Sequence, residues 1–99
     1  MKIVNSTLTR FQRKRGMAQC AVGSEMVLMH VDKGFYYALD VIGTRIWTLS
    51  KQPTSIQFLC EQLVGDYNVD LEQCIQDVTS FVEELIEVGI LEVATDESM

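Results

Sequence analysis

The 99-residue chain has one proline, one histidine, three cysteines and a single basic residue after position 50. Each shortage excludes a class of protein. Cys20, Cys60 and Cys74 are odd in number and lack Cys-x-x-Cys spacing, so the sequence offers neither a disulfide framework nor a zinc-ligand pattern. They read as reduced thiols that pack as small hydrophobes. His30 sits in a strand-like run with no nucleophile–base constellation around it, and reads as structural. The glycines are scattered at turns and helix ends, Gly43 excepted, and form no phosphate loop. Glu72, Asp77, Glu83, Glu84 and Glu87 fall on the polar face of one helix and read as a solvated surface. This inventory implies no enzyme, no cofactor and no metal. No apolar run approaches the ~20 residues of a membrane helix. Lys2 is not followed by the roughly 7–15 apolar residues of a secretory signal, so the expected location is cytoplasmic.

The net charge of −6 is uneven. Residues 1–50 hold seven Lys and Arg against three Asp and Glu, and residues 51–99 hold only Lys51 against eleven acidic residues. The second half is therefore a poor candidate for phosphate-backbone binding, which needs basic side chains on the recognition element. The basic run Arg10, Arg13, Lys14 and Arg15 reads either as a contact with an acidic partner or, preferred, as a solvated N-terminal arm.

The length suits one domain, and 47% hydrophobic residues argue against disorder. Residues 1–16 read as an N-terminal arm, 17–93 as the domain and 94–99 as a frayed tail. Thr7 to Phe11 has β-favouring residues, but its mixed composition does not decide for a strand. Met17–Val22, Glu25–Val31 and Phe35–Leu39 are short apolar runs separated by Gly-containing turns, the pattern of an antiparallel meander. In the third strand Phe35, Tyr37 and Leu39 share the face to be covered by helices, with Tyr36 and Ala38 on the other. Asp40 then caps a helix over residues 41–50, which Pro53 prevents from continuing. Thr54 with Gln57 and Asp70 with Gln73 have capping-box spacing for helices two and three. Gly65 and Gly89 are expected to end them. Gly43, inside helix one, costs on the order of 1 kcal/mol against Ala, a cost expected to be offset by close packing on another backbone. On helix three, Leu71, Cys74, Ile75, Val78, Phe81, Val82, Leu85 and Ile86 span roughly 140°, against about 100° for an ordinary amphipathic stripe. The surplus is core or a shelf for a partner. Ile90 to Val93 alternates like a short strand.

A three-stranded meander leaves an open edge that an extended peptide can pair with, and the Tyr- and Phe-rich third strand has interface composition. Residues 35–47 also carry a family resemblance. Tyr36-Tyr37-x-Leu39-Asp40 followed by Gly43 and Ile46-Trp47 resembles the PqqD family. Val27-Leu28-Met29, Gly34 and Leu85-x-x-x-Gly89-Ile90-Leu91 fit the same likeness, which spans residues 25–91. Asp40 stands where the family commonly has Asn, and it caps as well. The resemblance implies an α+β fold: a three-stranded antiparallel sheet followed by three helices, winged-helix-like. It implies a non-catalytic domain that holds the leader of a ribosomally made precursor while enzymes modify it, in lasso-peptide or PQQ-type biosynthesis. The leader would add as a strand to Phe35, Tyr36, Tyr37, Ala38 and Leu39. Cys74, Ile75, Val78 and Phe81 of helix three would lie nearest it, and Gly43, Ile46 and Trp47 would be structural. The implied partners are the precursor leader peptide and a modifying enzyme, either a leader protease or a radical enzyme. Neither nucleic acid nor membrane is implied, and the chain is expected to be a monomer or weak dimer. A winged-helix DNA-binding regulator and an edge-strand subunit without a peptide ligand are the competing classes. The acidic second half disfavours the first.

Overall fold

The computed structural model describes residues 6–94. In chain order its elements are β1 (Arg10–Arg13), β2 (Met17–Val22), β3 (Glu25–His30), β4 (Phe35–Leu39), α1 (Val41–Leu49), β5 (Thr54–Ser55), α2 (Ile56–Asp66), α3 (Leu71–Glu87) and β6 (Leu91–Val93). β2, β3 and β4 form the expected antiparallel meander, with Leu28 opposite both Gln19 and Tyr37. Three helices follow it, as expected of the α+β class.

A second antiparallel sheet joins three distant pieces in the order β5-β1-β6. Phe11 at its centre faces Thr54 on one side and Val93 on the other. Its ring is fully buried, a burial that contributes roughly 1.5–3 kcal/mol. Residues 10–13, read from the sequence as part of an arm, are thus the central strand of this sheet. Arg13 is held as well. Its guanidinium lies 4.0 Å over the Trp47 ring and donates to the Trp47 carbonyl. Burial lowers its pKa from the ordinary arginine value. Arg10 and Arg15 are exposed, whereas Arg13 is not the solvated side chain that the sequence reading preferred.

Local chemistry sets the helix ends. The Asp40 side chain accepts from the Gly43 N–H at 2.8 Å, and Asp70 accepts from the Gln73 N–H at 3.0 Å, as N-caps do. At the end of α3, Gly89 has φ +88. The Ile90 N–H reaches the Leu85 carbonyl and the Gly89 N–H reaches that of Ile86, which is the Schellman pattern. Two expectations need correction. Thr54 is not the cap of α2, because it is extended in β5 opposite Phe11. Ser55 takes the role, accepting from the Phe58 N–H at 3.2 Å. Gly65 does not end α2 either. The helix runs through it to Asp66 and stops at Tyr67, whose φ of −128 is extended.

The core lies between the meander and the helices. Leu28 and Leu39 meet Ile46, Trp47, Leu59, Val82 and Leu85 there, all essentially inaccessible. The Trp47 indole N–H donates to the Gln19 side chain at 2.8 Å, tying α1 to β2.

Candidate functional site

β4 is an edge strand, and no strand among the described residues pairs with its outer side. Its faces divide as the alternation requires: Leu39 is buried, Phe35 and Tyr37 are half-buried, and Tyr36 and Ala38 are exposed. Beside it, α1 and α3 leave a cavity of about 320 Å³ walled by Tyr37, Ala38, Leu39, Ile42, Gly43, Ile46, Val78 and Phe81. A second cavity of about 340 Å³ shares Ile42 and Asp77 with the first and continues past Leu63, Tyr67, Val69 and Cys74. The two make one apolar groove running from β4 along the first half of α3. β2, the other edge of the sheet, is exposed from Ala18 to Val22 and borders neither cavity.

Gly43 has a specific reason to be glycine. A Cβ there would stand 3.1 Å from the Phe81 ring and 3.2 Å from the capping oxygen of Asp40. The close approach is to side chains, not to another backbone as the sequence reading expected. It seats the Phe81 ring against α1 and keeps it in the wall of the groove.

The charged side chains on the groove are all acidic: Asp40 and Asp77 on the first cavity, Asp70 and Asp77 on the second. Asp40 and Asp70 are committed to helix N-termini, where the dipole offsets their charge. Among the described residues Asp77 accepts only from the neutral Gln73 amide, at 3.0 Å. The Tyr37 hydroxyl donates to Glu84 and ties β4 to α3 beyond Phe81. Burial, and then the Glu84 carboxylate, push the Tyr37 phenol up to about 12.

Of the residues expected here, Tyr37, Ala38, Leu39, Val78 and Phe81 line the first cavity and Cys74 lines the second. Phe35 sets its ring against His30, with centroids 5.2 Å apart. Tyr36 is on the opposite face, 69% exposed, and Ile75 packs on the core. Val78 is only 3% exposed and belongs to the core as much as to the groove. Ile42, Tyr67, Val69 and Asp77 escaped the sequence reading. The one available signal was Ile42, which is apolar in the turn directly after β4.

Cys74 is buried, and burial pushes the Cys60 thiol up to about 12, with the hydrogen bond to Cys74 adding to it. A buried thiol with a raised pKa, as at Cys60, is a poor nucleophile. Among the described residues no group of three His, Cys, Asp or Glu is placed to hold a metal ion, and no helix is long and apolar enough to cross a membrane.

Fold and groove define a winged-helix-like α+β domain with an open sheet edge beside its last helix. The sequence model of coenzyme PQQ synthesis protein D (PqqD) matches residues 25–91, two-thirds of the chain, and the chain belongs to the PqqD family. Among solved structures it is similar to TbiB1 in complex with the TbiA(beta) leader peptide, at TM-score 0.78 and 26% identity, over 86% of this chain and 99% of that one. It also shares the fold of a lasso peptide synthetase B1 complexed with the leader peptide, at TM-score 0.65 and 21% identity, over 82% and 95%. None of the curated proteins compared with the chain matches it.

Proposed function

We propose that the chain is a leader-peptide-binding chaperone of ribosomal natural-product biosynthesis, of the lasso type. It captures a precursor by adding the leader as a strand along the outer side of β4. It then presents the core peptide to a modifying enzyme or leader protease, without catalysing a step itself. The observation that carries this reading is the unpaired edge of β4 standing directly beside an apolar groove walled by α1 and α3. An edge supplies main-chain hydrogen bonds, and side chains on one face of an added strand recur every second residue and enter the groove. TbiB1, seen with a leader peptide, supports the reading by likeness.

The test is equilibrium binding of the leader encoded beside the gene, in two N-methylated forms. Strand addition leaves one alternating set of leader amides facing β4 and the other facing away. Each lost hydrogen bond costs about 1 kcal/mol. Methylating one set should therefore weaken binding at least tenfold, and methylating the other should change it little. Equal effects of both sets would contradict strand addition.

A further inference from the structure

At the far end of α1 from the groove lies a separate cavity of about 560 Å³. Leu49, Leu8 and Phe58 give it apolar walls, and Arg10 and Lys51 are the only charged residues that line it among the described residues. Leu8 is 64% exposed and Phe58 43%. Both apolar side chains are open to solvent. Neither Arg10 nor Lys51 has an ion-pair partner among the described residues. Thr54 is also in the wall. It is only 7% exposed, and its hydroxyl oxygen is buried with no hydrogen-bond partner among the described residues. A buried polar group without a partner is uncommon, and a ligand atom is one way to satisfy it.

We propose that this cavity binds an acidic segment of a second protein, anchored by one apolar side chain. The charge argues for this occupant. The chain is acidic overall, at −6, yet among the described residues this cavity carries two cations without an ion-pair partner and no carboxylate. Carboxylates flanking the anchor would meet Arg10 and Lys51, the anchor would lie between Leu8 and Phe58, and the Thr54 hydroxyl would hydrogen-bond to the segment. The site is distinct from the edge of β4. Ile42 and Thr48 stand at opposite ends of α1, about 9 Å apart along its axis. The enzyme that receives the captured precursor is the natural source of such a segment, and that attribution rests on the function proposed above.

The test is an NMR titration of the isotope-labelled full chain with three acetylated, amidated pentapeptides: Asp-Glu-Phe-Asp-Glu, Lys-Lys-Phe-Lys-Lys and Asp-Glu-Ser-Asp-Glu. The expected result is saturable shifts at residues 8–10 and 48–58 from the first peptide alone, weakened at least tenfold in the double variant Arg10→Glu, Lys51→Glu. Both positions are exposed, so the variant is expected to fold, and an unchanged amide spectrum elsewhere checks this. No shifts, equal shifts from the lysine peptide, or shifts confined to residues 37–43 and 77–81 would overturn the proposal. So would dilution-dependent shifts of the same residues without peptide, which would assign the face to a second copy of the chain. The leader experiment reads the edge of β4, so either proposal can fail while the other stands.

Discussion

At the N-terminal end of α1, Ile42 lines a groove whose charged residues are Asp40, Asp70 and Asp77. At the C-terminal end, Leu49 lines a cavity whose charged residues are Arg10 and Lys51. Both are apolar inside, and the buried side chains of Ile46 and Trp47 hold the helix between them. One nine-residue helix thus separates two surfaces of opposite sign. Apolar burial supplies attraction at either end, and the rim charges supply discrimination, because like charges brought together disfavour the wrong ligand. A further difference is in how the charges are used. Asp40 and Asp70 are bound to helix N-termini, whereas Arg10 and Lys51 have no ion-pair partner among the described residues. The groove is therefore mainly an edge and a shape. The cavity is an electrostatic receptor as well.

Substitutions can break this contrast in graded ways. The largest effect removes both surfaces together. Val78→Asp puts an unpaired carboxylate at a core position, at a cost of about 3–5 kcal/mol against a total of roughly 5–15. Circular dichroism should show a largely unfolded or strongly destabilised chain, and a native melting curve would show that Val78 is not core. Next comes Ile42→Glu. Ile42 is 38% exposed, so the fold should survive while a charge enters the middle of the groove. Leader affinity should fall at least tenfold and acidic-peptide binding at the cavity should stay within twofold. Loss at both ends would show that the two surfaces are one.

Gly43→Ala is expected to act more gently. The added methyl presses on Phe81 and on the Asp40 cap, while helix propensity gains up to about 1 kcal/mol. Stability should change by less than about 1 kcal/mol, and leader binding should weaken a few-fold as Phe81 is displaced into the groove. Isothermal calorimetry beside a denaturation curve separates the two effects. The smallest effect concerns pH. The Tyr37 phenol is held at about 12 against an ordinary 10, so the folded chain keeps a proton that the unfolded chain releases. Its contribution is fully present below pH 10 and is lost as pH rises toward 12. Urea midpoints should drop across that window in the parent chain and drop less in Tyr37→Phe.

Much of the fold was legible because its signals are local. The meander follows from three apolar runs and their turns. Asp40 and Asp70 sit one residue before their helices, and the alternation in Phe35–Leu39 sorts buried from exposed faces correctly. The second sheet was not legible as a unit. Its strands have four, two and three residues, and only pairing across the whole chain makes Phe11 their centre. The same pairing took Thr54 out of its expected cap and handed that role to Ser55. In the groove, β4 and the face of α3 could be placed from periodicity. Ile42, Tyr67 and Val69 could not, since their membership depends on how α1 and the α2–α3 loop pack together. The wide stripe of α3 divides in the structure: Val78, Val82 and Leu85 are core, Phe81 is half-buried at the groove, and Leu71 is 50% exposed.

The most direct test of leader capture on β4 is amide hydrogen exchange of the labelled chain, followed residue by residue with and without the leader peptide. Strand addition predicts strong slowing at alternate amides within residues 35–39, because only every second N–H faces the added strand, and little change in β2. Unchanged exchange in β4 under saturating leader, or protection of β2 instead, would contradict it.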